Sequence, residues 1–118
     1  MTFDQSIRSV LGNYATFSGR AGRSEFWYWV LFVLLVSIAL NIVGTFVNGT
    51  GALSGLFSLA TFLPGLAVDV RRLHDIGKSG WNLLWGFIPI LGWIYLIYLF
   101  VQPSQPGANA YGTTATAP

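Results

Sequence analysis

Long apolar runs without charge alternate with two short charged clusters along this chain, and that pattern predicts its elements. Between Glu25 and Asp69 no residue carries a charge, and none does after Lys78. A hydrocarbon layer of about 30 Å is crossed by about 20 helical residues at about 1.5 Å each. Three segments are long enough. Residues 26–47 carry Asn41 deep in their second half; 52–70 are rich in small residues, contain Pro64-Gly65 and run into Asp69. Residues 81–101 hold Pro89 and Gly92 near their middle. Proline removes a backbone donor, so this third helix is expected to kink, with neighbouring groups or water satisfying the freed carbonyl.

Local signals mark the ends of these elements. Ser24 suits an N-cap with Glu25 in the first turn, Gly77 suits a left-handed helix stop, and Ser79 suits the cap of the third helix. Asn48-Gly49-Thr50-Gly51 is a compact turn that makes the first two spans an antiparallel hairpin. Upstream, Phe3, Ile7, Val10, Leu11, Tyr14 and Phe17 recur at spacings of three and four. They form one face of a short amphipathic helix within 1–18, lying in the membrane interface or acting as a gate or docking element. Residues 102–118 are rich in Pro, Gly, Ala and Thr, carry no charge and read as a flexible tail. The expected fold class is an all-α membrane protein: a single membrane domain, 1–101, with three transmembrane helices after an amphipathic interfacial helix.

Composition supports lipid as the solvent. The 118 residues are 53% hydrophobic and 16% aromatic, with a mean hydropathy of +0.60. Only 8% are charged, against about a quarter in soluble domains. The apolar run that starts at Phe26 is too long for a cleaved signal and reads as a retained anchor. Having no cysteine excludes disulfides, thiolate metal sites and cysteine nucleophiles. The net charge of +2 raises nucleic acid as a partner, but six basic residues beside apolar spans fit anionic lipid and topology better. Arg8, Arg20 and Arg23 precede the first span, Arg71, Arg72 and Lys78 lie between the second and third, and the other flanks have none. This asymmetry predicts a cytoplasmic N-terminus and, with three spans, a C-terminus outside.

The charged clusters are 19–27 and 69–81. On a helix, Arg71 and Asp75 stand at i, i+4 and Asp69 and Arg72 at i, i+3, while Glu25 has Arg71 or Arg72 across the hairpin, or Arg20 or Arg23 nearby. One reading is a collar of charge pairs, Glu25, Asp69 and Asp75 with their arginines, that fixes packing. The other is an anion or lipid site of Arg20, Arg23, Arg71, Arg72, His74, Lys78 and Ser79, because guanidinium groups bind phosphate bidentately and helix N-termini attract anions. Adjacent residues on a helix point about 100° apart, so His74 and Asp75 form no dyad by adjacency. No serine nucleophile motif, metal-ligand spacing or phosphate-binding loop accompanies them, and no cofactor is implied.

Gly19-Arg20-Ala21-Gly22-Arg23-Ser24-Glu25-Phe26-Trp27, Arg71-Arg72-Leu73-His74-Asp75-Ile76-Gly77-Lys78-Ser79-Gly80-Trp81 and Pro106-Gly107-Ala108-Asn109-Ala110-Tyr111-Gly112 together resemble the YhaH and YhaI group of small bacterial inner-membrane proteins. The resemblance spans nearly the whole chain and implies location and architecture without supplying a reaction. The expected function is that of a non-enzymatic membrane interaction protein whose cytoplasmic cluster engages anionic phospholipid or a partner. Gly44, Gly55, Gly65 and Ala67 offer close-packing surfaces for a homo-oligomer or larger complex. The alternatives are a transporter or channel unit, with Asn41, Pro64, Asp69 and Pro89 near a polar path, and then an enzyme acting on lipid or envelope substrates.

Overall fold

The computed structural model describes residues 1–47 and 51–113. Among them run the helices α1 (Phe3–Gly12), α2 (Arg23–Val47) and α3 (Ala52–Asp75), a 3₁₀ segment Gly80–Phe87, and α4 (Leu91–Val101). The turn expected at Asn48-Gly49-Thr50 lies outside the described residues. At about 1.5 Å per residue, the 25 residues of α2 and 24 of α3 reach about 37 and 36 Å, enough to cross an apolar layer. In their outer halves, Ile42, Phe46, Leu56 and Leu59 are exposed. Large side chains of this kind on every side of a helix pair have lipid as their natural surroundings.

The buried core lies at the opposite, charged end of the pair. Val10, Phe26, Trp29, Val68, Leu73, Leu99 and Phe100 pack there, with the rings of Phe26 and Phe100 4.5 Å apart. Helix α1 is shorter than the interval 1–18 allowed and packs on α2 and α3. Thr2 and Gln5 close its start as a reciprocal capping box, and Ser6 and Val10 are its buried positions.

Just beyond α1, Tyr14 compensates a break in α3. Pro64 is fully buried inside that helix and has no N–H to give to the carbonyl four residues earlier, Ala60. The Tyr14 hydroxyl donates to the Ala60 carbonyl instead, at 2.9 Å. A proline deep in an apolar helix is tolerated when a neighbour supplies the missing donor.

The third segment departs from the sequence expectation. Residues 81–101 form no continuous helix: the 3₁₀ segment ends at Phe87, and the chain reverses around Pro89 before α4 begins. Ile90 sits at φ 67°, ψ −68°, a conformation sparsely populated by a β-branched residue, and Leu91 N–H bonds to the Pro89 carbonyl at 2.8 Å. The proline thus turns the chain where a kink was expected. The two limbs then meet at Gly92, where an added Cβ would lie 1.7 Å from the Trp85 carbonyl oxygen, so only glycine permits the crossing. Trp93 Nε1 donates to the Gly86 carbonyl at 2.9 Å and closes the same contact. Eight 3₁₀ residues at about 2.0 Å and eleven α residues at about 1.5 Å each give limbs of about 16 Å, half the depth of an apolar layer.

Because of this reversal, α4 ends where the 3₁₀ segment began, beside the end of α3. The Phe100 carbonyl accepts from Arg72 Nε at 3.2 Å and from Trp27 Nε1 at 3.2 Å. Residues 102–113, expected to be a free tail, are fastened to the same end of the molecule, and the tail from 114 onward lies outside the described residues. The physical reason is that uncharged backbone carbonyls can serve as ligands for buried arginines, which composition does not reveal.

Candidate functional site

The charged end is assembled from four pieces of chain: the loop before α2, the end of α3, the end of α4 and the tail. Helix α3 stops in a six-residue closure, with Lys78 N–H bonded to the Leu73 carbonyl at 2.9 Å and Gly77 N–H to His74 at 3.0 Å. Gly77 takes φ +79°, the left-handed stop expected of it. A Cβ there would also lie 2.6 Å from Gln105 Nε2, so the Gln105 side chain would have to move aside.

Asp75, with no exposed surface, is the centre. Its Oδ1 accepts from Arg20 Nε at 2.9 Å, and its Oδ2 accepts from Arg72 Nη1 at 2.8 Å and from the Ser104 hydroxyl. Arg20 is saturated by the chain itself. Its five donors reach Asp75 Oδ1, the Asp75 carbonyl at 3.3 Å, Gln105 at 2.6 Å, Gly107 at 2.6 Å and Thr113 at 3.3 Å. Arg72, also without exposed surface, bonds in addition to the carbonyls of Phe100, Ala21 and Gln102. Isolated charges in an apolar core are expensive, and here each guanidinium is offset by a carboxylate and by backbone carbonyls.

A second pair lies under α1. Arg71 Nη1 donates to Glu25 Oε2 at 2.8 Å, and the Ser9 hydroxyl donates to the same oxygen at 2.9 Å. Arg71 Nε and Nη2 and Glu25 Oε1 are buried without a hydrogen-bond partner among the described residues, so this pair is less completely compensated than Asp75.

His74 is held from two sides. Its Nδ1 lies 3.0 Å from the Gly19 carbonyl, which can only accept, so that nitrogen carries the proton. Its ring stacks on Tyr111 at 4.0 Å and 3°. Ser79 caps the 3₁₀ segment by accepting from Trp81 N–H at 3.2 Å.

Of the residues singled out by sequence, the fold brings Arg20, Arg72 and Asp75 into one network and Arg71 with Glu25 into another. Asp75 takes Arg72 at i, i+3, while Arg71 turns to Glu25, so the i, i+4 pair with Asp75 does not form. Asp69 has no ion pair among the described residues; it borders a cavity of about 470 Å³ between α2 and α3 with Trp29, Ser37 and Thr61. Arg23 and Lys78 are exposed and form no ion pair among the described residues. Sequence reasoning missed Ser9, Ser104, Gln105, Asn109 and Tyr111. Asn109, whose Nδ2 donates to the His74 carbonyl at 2.9 Å, and Tyr111 both fall within the 106–112 motif, which was the available signal.

An all-helical chain with two helices fit to cross a bilayer and its ionic groups gathered at one end is an integral membrane protein. Residues 14–113 match the family described as protein of unknown function DUF805, and the chain belongs to that family. It is similar to inner membrane protein YhaI of Escherichia coli strain K12, with 44% identity over 106 residues covering 88% of this chain and 89% of that protein. It is also similar to inner membrane protein YhaH of the same strain, with 36% identity over 108 residues, 87% of this chain and 89% of that protein. The uncharacterized protein YiiR is 36% identical over 83 residues, 69% of this chain and 53% of that protein. These relatives locate the chain to the bacterial inner membrane. No solved structure matches it.

Proposed function

We propose that this is a non-enzymatic interaction protein of the inner membrane, with two full spans, a re-entrant hairpin at 80–101, α1 resting at the interface, and both ends on the cytoplasmic face. One observation carries the topology: the end of α4 and the tail to Thr113 converge on Asp75 through Arg20 and Arg72, close to where the 3₁₀ segment leaves the end of α3. The bias of basic residues toward that end supports its cytoplasmic placement. In this reading Arg20, Arg71, Arg72, Glu25 and Asp75 lock the fold, His74 and Ser79 hold local turns, and exposed Arg23 and Lys78 face anionic lipid or a partner. Gly65 packs on Trp29 and Ala67 is fully buried, whereas Gly44 and Gly55 have open space beside them. Self-association is therefore assigned to the outer halves of α2 and α3, where a second helix can approach.

Compartment reporters fused singly to the N-terminus and to the C-terminus test the topology. Both are expected to report the cytoplasm, and opposite compartments reject the re-entrant arrangement.

A second reading, a transporter or channel unit, is favoured by Asp69. An ionisable residue at a cavity between two spans, with no ion pair among the described residues, marks a pathway by default. Flux in proteoliposomes that is abolished by Asp69→Asn would establish it in place of the first reading.

A further inference from the structure

We infer that a cavity beside Lys78 is a binding site for the phosphate head group of an anionic phospholipid. This rests on the membrane reading above and names the lipid chemistry of its cytoplasmic face. The cavity, about 300 Å³, lies between the turn after α3 and the end of α4. Lys78, Tyr95, Tyr98, Gln102 and Gln105 supply its polar groups. Sequence placed Lys78 in an anion site with the arginines, but the structure puts it with residues from α4 and the tail.

The charge balance of the cavity is one-sided. Lys78 is exposed and unpaired among the described residues, and no carboxylate lines the space. Asp75, the carboxylate that ends α3, is occupied by Arg20, Arg72 and Ser104. The carbonyls at the end of α4, which would repel an anion, are covered as well: Phe100 accepts from Arg72 and Trp27, and Tyr98 accepts from Gln102 Nε2 at 3.0 Å. Gln105 Oε1 accepts from Asn109 Nδ2 at 2.8 Å, and its NH₂ has no hydrogen-bond partner among the described residues. Tyr95 and Tyr98, whose hydroxyls have no hydrogen-bond partner among the described residues, line the same cavity as Lys78. An ammonium with neutral donors is a phosphate-binding combination.

A lipid is favoured over a soluble phosphate by what continues from the cavity. Tyr95, Tyr98 and Gln102 lie on one face of α4, at spacings of three and four, and Leu91 extends that face toward the hairpin tip. Leu91 and Ile94 are 74% and 61% exposed, so an acyl chain leaving the cavity runs along apolar surface. The tyrosines stand where ring and hydroxyl meet the two halves of an amphiphile.

The test reconstitutes the full chain in nanodiscs of phosphatidylglycerol and phosphatidylcholine in equal amounts, and counts retained lipid by native mass spectrometry after mild extraction. Wild type is expected to retain phosphatidylglycerol selectively. Lys78→Ala should lower that retention about tenfold, equivalent to about 1.4 kcal/mol and the size of one charge-assisted contact. Lys78→Arg should preserve it, and Arg8→Ala, an exposed cation outside the cavity, should leave it unchanged. Equal retention by Lys78→Ala, or an equal fall in Arg8→Ala, overturns the site. Excess glycerol 3-phosphate should not displace the lipid; full displacement overturns the lipid assignment in favour of a soluble phosphate. Unfolding midpoints in the same lipid confirm that Lys78→Ala is folded. Compartment reporters and lipid counts are separate readouts, so the topology and the site can each fail alone.

Discussion

Tyr14 and Pro64 are far apart in sequence, yet the structure makes each the condition for the other. Ala60 lies 15 residues before Asp75, about 22 Å along α3, within the apolar part of that helix. Its carbonyl has lost the helical donor at Pro64 and receives the Tyr14 hydroxyl at 2.9 Å. Removing that hydroxyl with Tyr14→Phe leaves an acceptor without a partner where water is scarce. The expected loss is about 1–2 kcal/mol, between the penalty for an unsatisfied buried group and the smaller values typical of hydrogen bonds in membranes. In a Pro64→Ala background the residue at 64 supplies its own N–H, the Ala60 carbonyl is satisfied within the helix, and Tyr14→Phe should cost no more than about 0.5 kcal/mol. Equilibrium unfolding of the two single variants and the double variant in lipid–detergent micelles measures the coupling. An equal effect of Tyr14→Phe in both backgrounds would refute the reasoning, because the hydroxyl would then contribute independently of the proline.

Two further predictions address the third segment and the ionic centre. Gly92→Ala has opposite signs under the two arrangements of residues 81–101. In a continuous helix it would stabilise by about 0.8–1.0 kcal/mol, whereas against the Trp85 carbonyl, 1.7 Å from the new Cβ, it should destabilise by about 1–3 kcal/mol in the same unfolding assay. A stabilised variant would reject the close crossing of the limbs. Asp75→Ala leaves Arg20 and Arg72 buried without their carboxylate and should lose about 3–5 kcal/mol, with the tail released to proteolysis near residues 104–113. A variant that keeps both its midpoint and its protease resistance would show that the arginines need no counter-charge there.

The amino-acid sequence by itself determined the solvent and the two long helices. Uncharged runs of this length have few other places to exist, and the apolar pattern of α2 and α3 is a local property. It also placed the helix stop at Gly77, because a left-handed residue is a requirement of that one position. The charged residues were legible as a group, and the cross-helix approach of Glu25 to Arg71 was among the pairings open to it. Their individual partners were not legible, since Asp75 has arginines at several workable spacings and its second partner, Arg20, comes from 55 residues away. The reversal at Pro89 and the fastening of the tail were decided only by the tertiary structure. Proline permits both a kink and a turn, and the turn prevails here because Gly92 lets two backbones touch while buried Arg72 holds the end of the excursion beside the end of α3, near where it started. Carbonyls from residues 100–113 carry no signature in composition, and they become ligands only once the fold brings a guanidinium beside them.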